Sequence, residues 1–322
     1  MTSPAKITVT APARLHMGFI GLCGALDRQF GSIGIAINEI FTRLTVSEAS
    51  QRTIKGPAAA RADKCLSQLC QALGVQDRLE IAIESAIPEH VGLGSGTQMA
   101  LAIGTGLNAF YGLGLTVREI AAVMDRGLRS GIGIGVFEYS GLVVDGGRGK
   151  QTVVPPVLVN LTVPESWRFI LVFDKRGKGL YGDDEINAFA ALPGFPQREA
   201  EHLCYRLMMH GLPAVAEHDI NAFGEVITQL QQAVGQHFAP VQGGIYASLE
   251  VAEAMAWLSA QGAVGVGQTS WGPTGFCMLD SIAYAQDLVT KARKQFAASP
   301  HLDFVMVSAN NQKSCSRLSM DS

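Results

Sequence analysis

Apolar and polar residues alternate over Lys6–Thr10, and apolar or β-branched runs at Ile33–Ile37 and Arg43–Val46 are separated by turn residues. This period of two predicts strands across residues 6–46. A helical pattern follows at Asp63–Leu73, then a strand at Leu79–Glu84 and an apolar helical run from Gln98 to about Phe110. Thr116-x-x-Glu119 is a capping box that opens another helix, predicted to run to about Leu128. A glycine-rich stretch, Ser130–Gly135, precedes a strand at Gly141–Asp145. The pattern shifts at Pro155, Pro156 and Pro164, which places a domain boundary there: 1–160 and 161–322. Beyond it the pattern predicts strands at Arg168–Phe173, Gly275–Leu279 and Asp303–Val307. Helices are predicted at Arg198–His210, Ile220–Val234, Leu249–Gln261 and Ile282–Ala297. Strands and helices mixed without strict βαβ spacing predict an α+β fold. The polar tail Asn310–Ser322 is expected to fray.

The 322 residues are 48% hydrophobic and 16% charged, enough apolar surface for a sizeable core. Lys+Arg is 25 and Asp+Glu 28, so the net charge is 25 − 28 = −3. That balance argues against nucleic acid as a partner. None of the six cysteines forms Cys-x-x-Cys or a zinc spacing, the N-terminus lacks a secretory apolar core, and no long apolar run predicts a membrane span. A cytoplasmic protein acting on small molecules is the expectation. Glycine, 36 of 322, is in excess, and it permits close approach of backbone N–H groups to a ligand.

The excess concentrates in Pro88-x-x-x-Gly92-Leu93-Gly94-Ser95-Gly96-Thr97, between a strand and an apolar helix. Such a loop points N–H groups inward, and the helix N-terminus adds positive dipole, which together make a phosphate cradle. A plain tight turn capped by Ser95 or Thr97 is the structural alternative. No Lys follows Gly96, so this is not a Walker A loop, and the glycine spacing does not match the Rossmann fingerprint.

This segment resembles the second motif of the galactokinase, homoserine kinase, mevalonate kinase and phosphomevalonate kinase (GHMP) superfamily. Ala11-Pro-Ala-Arg-Leu-His-Met-Gly-Phe19 resembles the first motif, and Gly265-Val-Gly-Gln-Thr-Ser-Trp-Gly-Pro-Thr-Gly275 the third. The resemblance implies a GHMP-kinase-like two-domain fold, with an N-terminal α+β domain and a C-terminal ferredoxin-like domain. Kinases of the superfamily often carry an Asp that activates the substrate hydroxyl. In Arg129-Ser-Gly-Ile-Gly133 its place falls to Gly133, which can neither accept a proton nor orient a hydroxyl.

Arg14-Leu-His16-x-Gly18, Arg129–Gly133, Phe137-Glu138, Asp145-Gly-Gly147, Gly179-Leu-Tyr-Gly182 with Glu185, and Gly267-Gln-Thr-Ser-Trp-Gly-Pro273 resemble one branch, the β-ribofuranosylaminobenzene 5′-phosphate synthases. That resemblance implies condensation of 5-phosphoribosyl 1-pyrophosphate with 4-aminobenzoate or 4-hydroxybenzoate. Pyrophosphate and CO2 are released, and the C-riboside product enters methanopterin biosynthesis. Mg2+ is the implied cofactor and a homodimer the implied assembly. An ATP-dependent small-molecule kinase is the alternative, and a phosphate-ligand sensor without chemistry a third reading.

The reaction needs preorganised N–H groups and cations for a departing diphosphate. Arg14, His16, Asp145 and Glu185 are the candidate catalytic groups, and Asp145 and Glu185 the candidate metal ligands. Gly92, Leu93, Gly94, Ser95, Gly96 and Thr97 are the candidate phosphate cradle. Arg28, Arg129, Ser130, Lys175, Lys178, Gln268, Ser270 and Trp271 are the further substrate candidates.

Overall fold

The structure is a computed structural model that describes residues 6–177, 191–270, 272–312 and 319–321. Strands β1 (Lys6–Gly21) and β3 (Gly31–Glu48) pair antiparallel along nearly their whole length. The period of two covers only parts of them, because bulges at Pro12/Ala13, His16/Gly18 and Phe19/Gly21 reset it without ending the strand. Between and beyond them, β2 (Arg28–Gln29) and β7 (Arg148–Gly149) form a small ribbon. β5 (Leu79–Ser85) pairs with one half of β3, and β4 (Thr53–Lys55) runs parallel to β5. β6 (Leu142–Asp145) pairs with the other half of β3, and β8 (Val157–Leu161) with β6. The chain then leaves the first sheet.

The tail does not simply fray. Asn310 is 6% exposed and its N–H donates to Ala36 O, while β13 (Ser319–Asp321) returns to pair with β1. The first sheet is therefore completed by the last residues of the chain.

Helices α1 (Ala59–Leu73) and α2 (Ser95–Tyr111) pack on this sheet and on each other. α3 (Val117–Val123) opens on the expected capping box: Glu119 N–H donates to Thr116 Oγ1, and Thr116 N–H to the Glu119 carboxylate at 2.7 Å. It stops well before Leu128, because Asp125 (φ +50°) and Gly127 (φ +83°) adopt left-handed backbone. Residues 130–135 are not a plain loop. They lead into α4 (Ile132–Tyr139), whose glycines let it pack closely: a Cβ on Gly133 would touch Thr97 Cγ2 at 3.0 Å, and one on Gly135 would meet Val143 at 2.7 Å. Packing overrides the poor helix propensity of glycine here.

The second sheet has the order β10 (Val264–Gln268), β11 (Gly275–Leu279), β9 (Arg168–Asp174), β12 (Leu302–Ser308), all antiparallel, the strand order of a ferredoxin-like fold. Alternation along β9 sorts its two faces. Ile170 and Val172 pack under α8 (Leu249–Ala260) and α9 (Ile282–Gln295). Phe169 and Leu171 face the other way, toward α7 (Ile220–Gln242) and the first sheet. The helix expected over Arg198–His210 is α5 (Gln197–Arg206), which widens into a π-type stretch at Leu207–Gly211 before α6 (Leu212–Ala216). Pro213 has no N–H for a regular helical bond, which accounts for the change of register. No helix among the described residues is long and apolar enough to cross a membrane.

One apolar cluster joins the two sheets. It takes Leu15, Met17 and Ile35 from the first, Phe169, Leu171 and Phe276 from the second, and Phe223, Ile227 and Leu230 from α7. Trp167 stacks on Phe223 at 5.6 Å, both fully buried. Because this core is shared, the two sheets should unfold together. Phe223→Ala should lower stability by about 3–5 kcal/mol. Urea unfolding followed by far-UV circular dichroism should show one transition moved to lower urea, not two.

Candidate functional site

After β5 the chain turns through residues 86–94 before α2 begins. His90 (φ +62°), Gly92 (φ +81°) and Gly94 (φ +82°) are left-handed, which the two glycines adopt without strain. Close approach also requires them. A Cβ on Gly92 would collide with the Thr269 carbonyl oxygen, and one on Gly94 would lie 2.9 Å from Arg14 Cγ. The three sequence motifs thus meet at one loop. Arg14 N–H donates to Leu93 O at 3.1 Å, and the Arg14 guanidinium donates to Gly92 O. The Thr269 hydroxyl donates to Gly92 O at 3.0 Å and accepts from His16 N–H at 2.9 Å. The Thr274 hydroxyl donates to Val91 O at 2.8 Å.

Gly94 is the N-cap of α2, so the expected alternative of a Ser95 or Thr97 cap is not what forms; no side chain caps the first turn. The N–H groups of Ser95, Gly96 and Thr97 have no intrahelical acceptor, and they carry the positive end of a 17-residue helix. Two arginines flank that turn. A Cβ on Gly96 would lie 3.1 Å from Arg61 Nη1 and 3.9 Å from Arg126 Nη1. Arg61 donates to Ser95 Oγ at 3.4 Å and is paired with Glu89 at 2.6 Å. Arg126 Nε is buried and has no hydrogen-bond partner. A buried guanidinium N–H without an acceptor, on a half-buried arginine beside a helix N-terminus, is a donor that an anion there would satisfy. The arrangement can hold a phosphate or diphosphate, with bidentate donors from arginine and linear donors from the backbone.

Arg61 and Arg126 were not among the sequence candidates. They lie in α1 and just after α3, far from the loop in sequence and in no motif with it. Only the packing of those helices around α2 brings them to Gly96.

The other candidates fall into three places. Gln268 and Ser270 flank Thr269, beside His16. His16 is 2% exposed, and burial, then the Arg14 charge, hold its imidazole well below its ordinary value, so the ring is neutral. The second place is the corner of α4 and β6. There Asp145 is fully buried and accepts from the Ser32 hydroxyl at 2.5 Å, Gly131 N–H at 3.0 Å and Gly147 N–H at 2.7 Å. Ser130 shares this knot through Ser32, 2.7 Å away. Arg28 is pinned to Gly146 O and Gly147 O, and Arg129 neighbours Ser130 in the chain. Asp145 therefore does not fit a metal ligand, since its oxygens are occupied by donors away from solvent. The third is the end of β9, where Lys175 pairs with Asp303 at 3.5 Å and Arg176 bridges Asp174 and Glu250. Both cations are paired with carboxylates of the second half of the chain. Lys178, Glu185 and Trp271 lie outside the described residues. Among the described residues no cluster of three or more His, Cys, Asp or Glu could hold a metal ion.

Two predictions follow from this geometry. Gly96 is helical and its nearest neighbours are the ends of flexible side chains, so Gly96→Ala should fold at least as well as the parent. It should nonetheless bind inorganic diphosphate about tenfold more weakly by calorimetry, a loss of about 1.4 kcal/mol. Burial lifts the Asp145 carboxyl to about 6 against its four hydrogen-bond donors. A carboxyl raised in the folded state stabilises most below its unfolded value, and that contribution is lost as pH rises to about 6. The stability of the parent relative to Asp145→Asn should therefore fall between pH 4 and pH 7, by on the order of 3 kcal/mol. Denaturant titrations at the two pH values measure it.

Comparison with known proteins agrees with this architecture. The GHMP kinases N terminal domain model matches residues 60–140 and the GHMP kinases C terminal model residues 212–298. The chain is 32% identical over 291 residues to a β-ribofuranosylphenol 5′-phosphate synthase of Archaeoglobus fulgidus, covering 86% of this chain and 89% of that protein. It is 29% identical over 297 residues to the protein of the same name from Methanothermobacter thermautotrophicus, covering 85% and 89%. In fold it is similar to the crystal structure of homoserine kinase from Cytophaga hutchinsonii, with a TM-score of 0.65, 17% identity and 96% of each chain covered. The chain belongs to the β-ribofuranosylaminobenzene and β-ribofuranosylphenol 5′-phosphate synthase family, a branch of the GHMP kinase superfamily.

Proposed function

We propose that this protein condenses 5-phosphoribosyl 1-pyrophosphate with a 4-substituted benzoate, 4-hydroxybenzoate or 4-aminobenzoate. It releases pyrophosphate and CO2 and makes a C-riboside 5′-phosphate for methanopterin biosynthesis. The observation that carries this reading is the combination at the first turn of α2: a phosphate cradle with two arginines, and Gly133 packed on Thr97 where a hydroxyl-activating carboxylate would be needed. Phosphoryl transfer to an alcohol gains from such a carboxylate. Glycosyl transfer to a ring carbon does not need it.

In the net reaction the ring carbon that bears the carboxylate bonds to the anomeric carbon. The anomeric C–O bond breaks with its electron pair going to pyrophosphate. The bond to the carboxylate then breaks, returns its pair to the ring and frees CO2. Charge grows on the departing diphosphate, and the α2 N–H groups with Arg61 and Arg126 are placed to stabilise it. Arg14 braces the loop through Gly92 and Leu93. Mg2+ in this reading enters with the diphosphate of the donor, because Asp145 is committed to its own hydrogen bonds; no step is assigned to a resident metal.

The test uses carboxyl-labelled 4-hydroxybenzoate and 4-aminobenzoate, Mg2+ and the phosphoribosyl donor. Labelled CO2 should be released only when donor and acceptor are both present. Arg126→Met should lower kcat/KM for the donor by about tenfold or more. The reading falls if neither acceptor releases CO2 while ATP is consumed with an alcohol or amino-alcohol substrate.

A further inference from the structure

The phosphate loop carries one charged group that no step above uses. Glu89 stands between Pro88 and His90, whose left-handed backbone (φ +62°) turns the chain toward Gly92 and α2. A carboxylate looks misplaced there. The loop leads into an anion cradle, and a like charge near a diphosphate should weaken its binding.

The contacts of Glu89 explain it. Glu89 Oε1 accepts from Arg61 Nε at 2.6 Å, and Glu89 Oε2 lies 3.9 Å from His90 Nε2. Arg61 comes from the first turn of α1, not from the loop. An arginine side chain is long and rich in rotamers, so a place on a helix does not by itself aim its guanidinium. The guanidinium is planar, and its donors lie on different edges. A carboxylate on the Nε edge fixes the plane and leaves Nη1 for another acceptor. In the structure Nη1 lies 3.4 Å from Ser95 Oγ and 3.1 Å from where a Cβ on Gly96 would be. The guanidinium thus stands between the carboxylate and the first turn of α2. Arg126, on the other flank of that turn, differs: its Nε is buried and has no hydrogen-bond partner. The Arg61 and Glu89 side chains are 27% and 38% exposed, so the pair adds little to stability by itself. Its effect is on binding, because an arginine already held in place loses less freedom when an anion arrives.

We infer that Glu89 is a positioning residue: its carboxylate holds the Arg61 guanidinium by Nε and so aims Nη1 at an anion seated on the first turn of α2. The inference rests on the part of the synthase reading that seats the donor's diphosphate there, and not on the benzoate chemistry. It has a consequence opposite to simple electrostatics. Removing a negative charge from beside an anion site should tighten anion binding. Here it weakens binding, because the arginine is released from its brace.

The test measures binding of inorganic diphosphate to the full chain by calorimetry, without and with Mg2+. The parent is compared with Glu89→Ala, Glu89→Gln, Arg61→Met and the double variant of Arg61→Met with Glu89→Ala. Without Mg2+, Glu89→Ala should bind about tenfold more weakly than the parent. Glu89→Gln keeps an acceptor for Nε–H and should stay within about threefold of the parent. Arg61→Met should also lose about tenfold, and adding Glu89→Ala to it should cause no further loss. In turnover, Glu89→Ala should raise the KM for the phosphoribosyl donor and leave that for the benzoate alone. Binding that needs Arg61 but is unchanged or tighter in Glu89→Ala overturns the inference and leaves the cradle standing. A loss that is equally large in the Arg61→Met background, or that appears only with Mg2+, also overturns it, since the carboxylate then acts on the ligand or its metal and not through Arg61. Binding indifferent to both Arg61→Met and Gly96→Ala removes the cradle and the inference with it. The expected losses without CO2 release from either benzoate support the inference and remove the synthase chemistry alone.

Discussion

The site depends on one close contact: the backbone of the phosphate loop at Gly92 lies directly against the backbone of Thr269 and Gly272. A Cβ at either glycine would collide with the opposite main chain. The loop belongs to the first sheet's half of the molecule, while Thr269 follows β10 of the second. Thr269 and Thr274 hydroxyls and Arg14 then saturate the carbonyls of Val91, Gly92 and Leu93. With those carbonyls turned into protein, the N–H groups at the start of α2 are the loop's remaining polar face. Preorganisation of the cradle is therefore a property of the junction between the two halves, and the shared core of Phe169, Leu171 and Phe223 holds that junction together.

How much of this was legible in the sequence differs by scale. The loop, α2 and the capping box at Thr116 were legible because each is local: glycine at positive φ, an apolar helical run, and a Thr/Glu pair three apart. The fold class followed from the order of elements and the three motifs. The lengths of β1 and β3 were not legible, because bulges interrupt the alternation that marks a strand. α4 was hidden because Ile-Gly-Ile-Gly looks like a loop until Thr97 and Val143 press against the missing side chains.

Site residues show the same division. Arg14 and His16 could be read from a motif. Arg61 and Arg126 could not, since only helix packing around Gly96 unites them. Asp145 was chosen by residue type, and its environment gives it another task. Its carboxylate gathers Ser32, Gly131 and Gly147 and so ties the start of α4 to the end of β6. A carboxylate can serve as such a tie or as a ligand, and the sequence shows only the residue. Lys175 is similar: in the structure it pairs with Asp303 at the surface, a partner that its position in the sequence does not show.

The absence of a side chain at residue 133 has a chemical consequence in the proposed reaction. The ring nucleophile is activated by electron donation from its own 4-hydroxyl or 4-amino group, and loss of CO2 after the new bond has formed restores the aromatic ring. No proton has to be removed from an alcohol, so a general base near the transferred group would contribute nothing. It would also cost something. A carboxylate beside Thr97 would sit near the uncapped N–H groups that are to receive a diphosphate, and like charges at a few ångströms in a partly buried site repel by several kcal/mol. Arg126, with its Nε buried and unsatisfied, already biases the same turn toward an anion. Removing a negative group and adding positive ones there move the site in one direction. They favour stabilising a leaving diphosphate over activating an incoming hydroxyl.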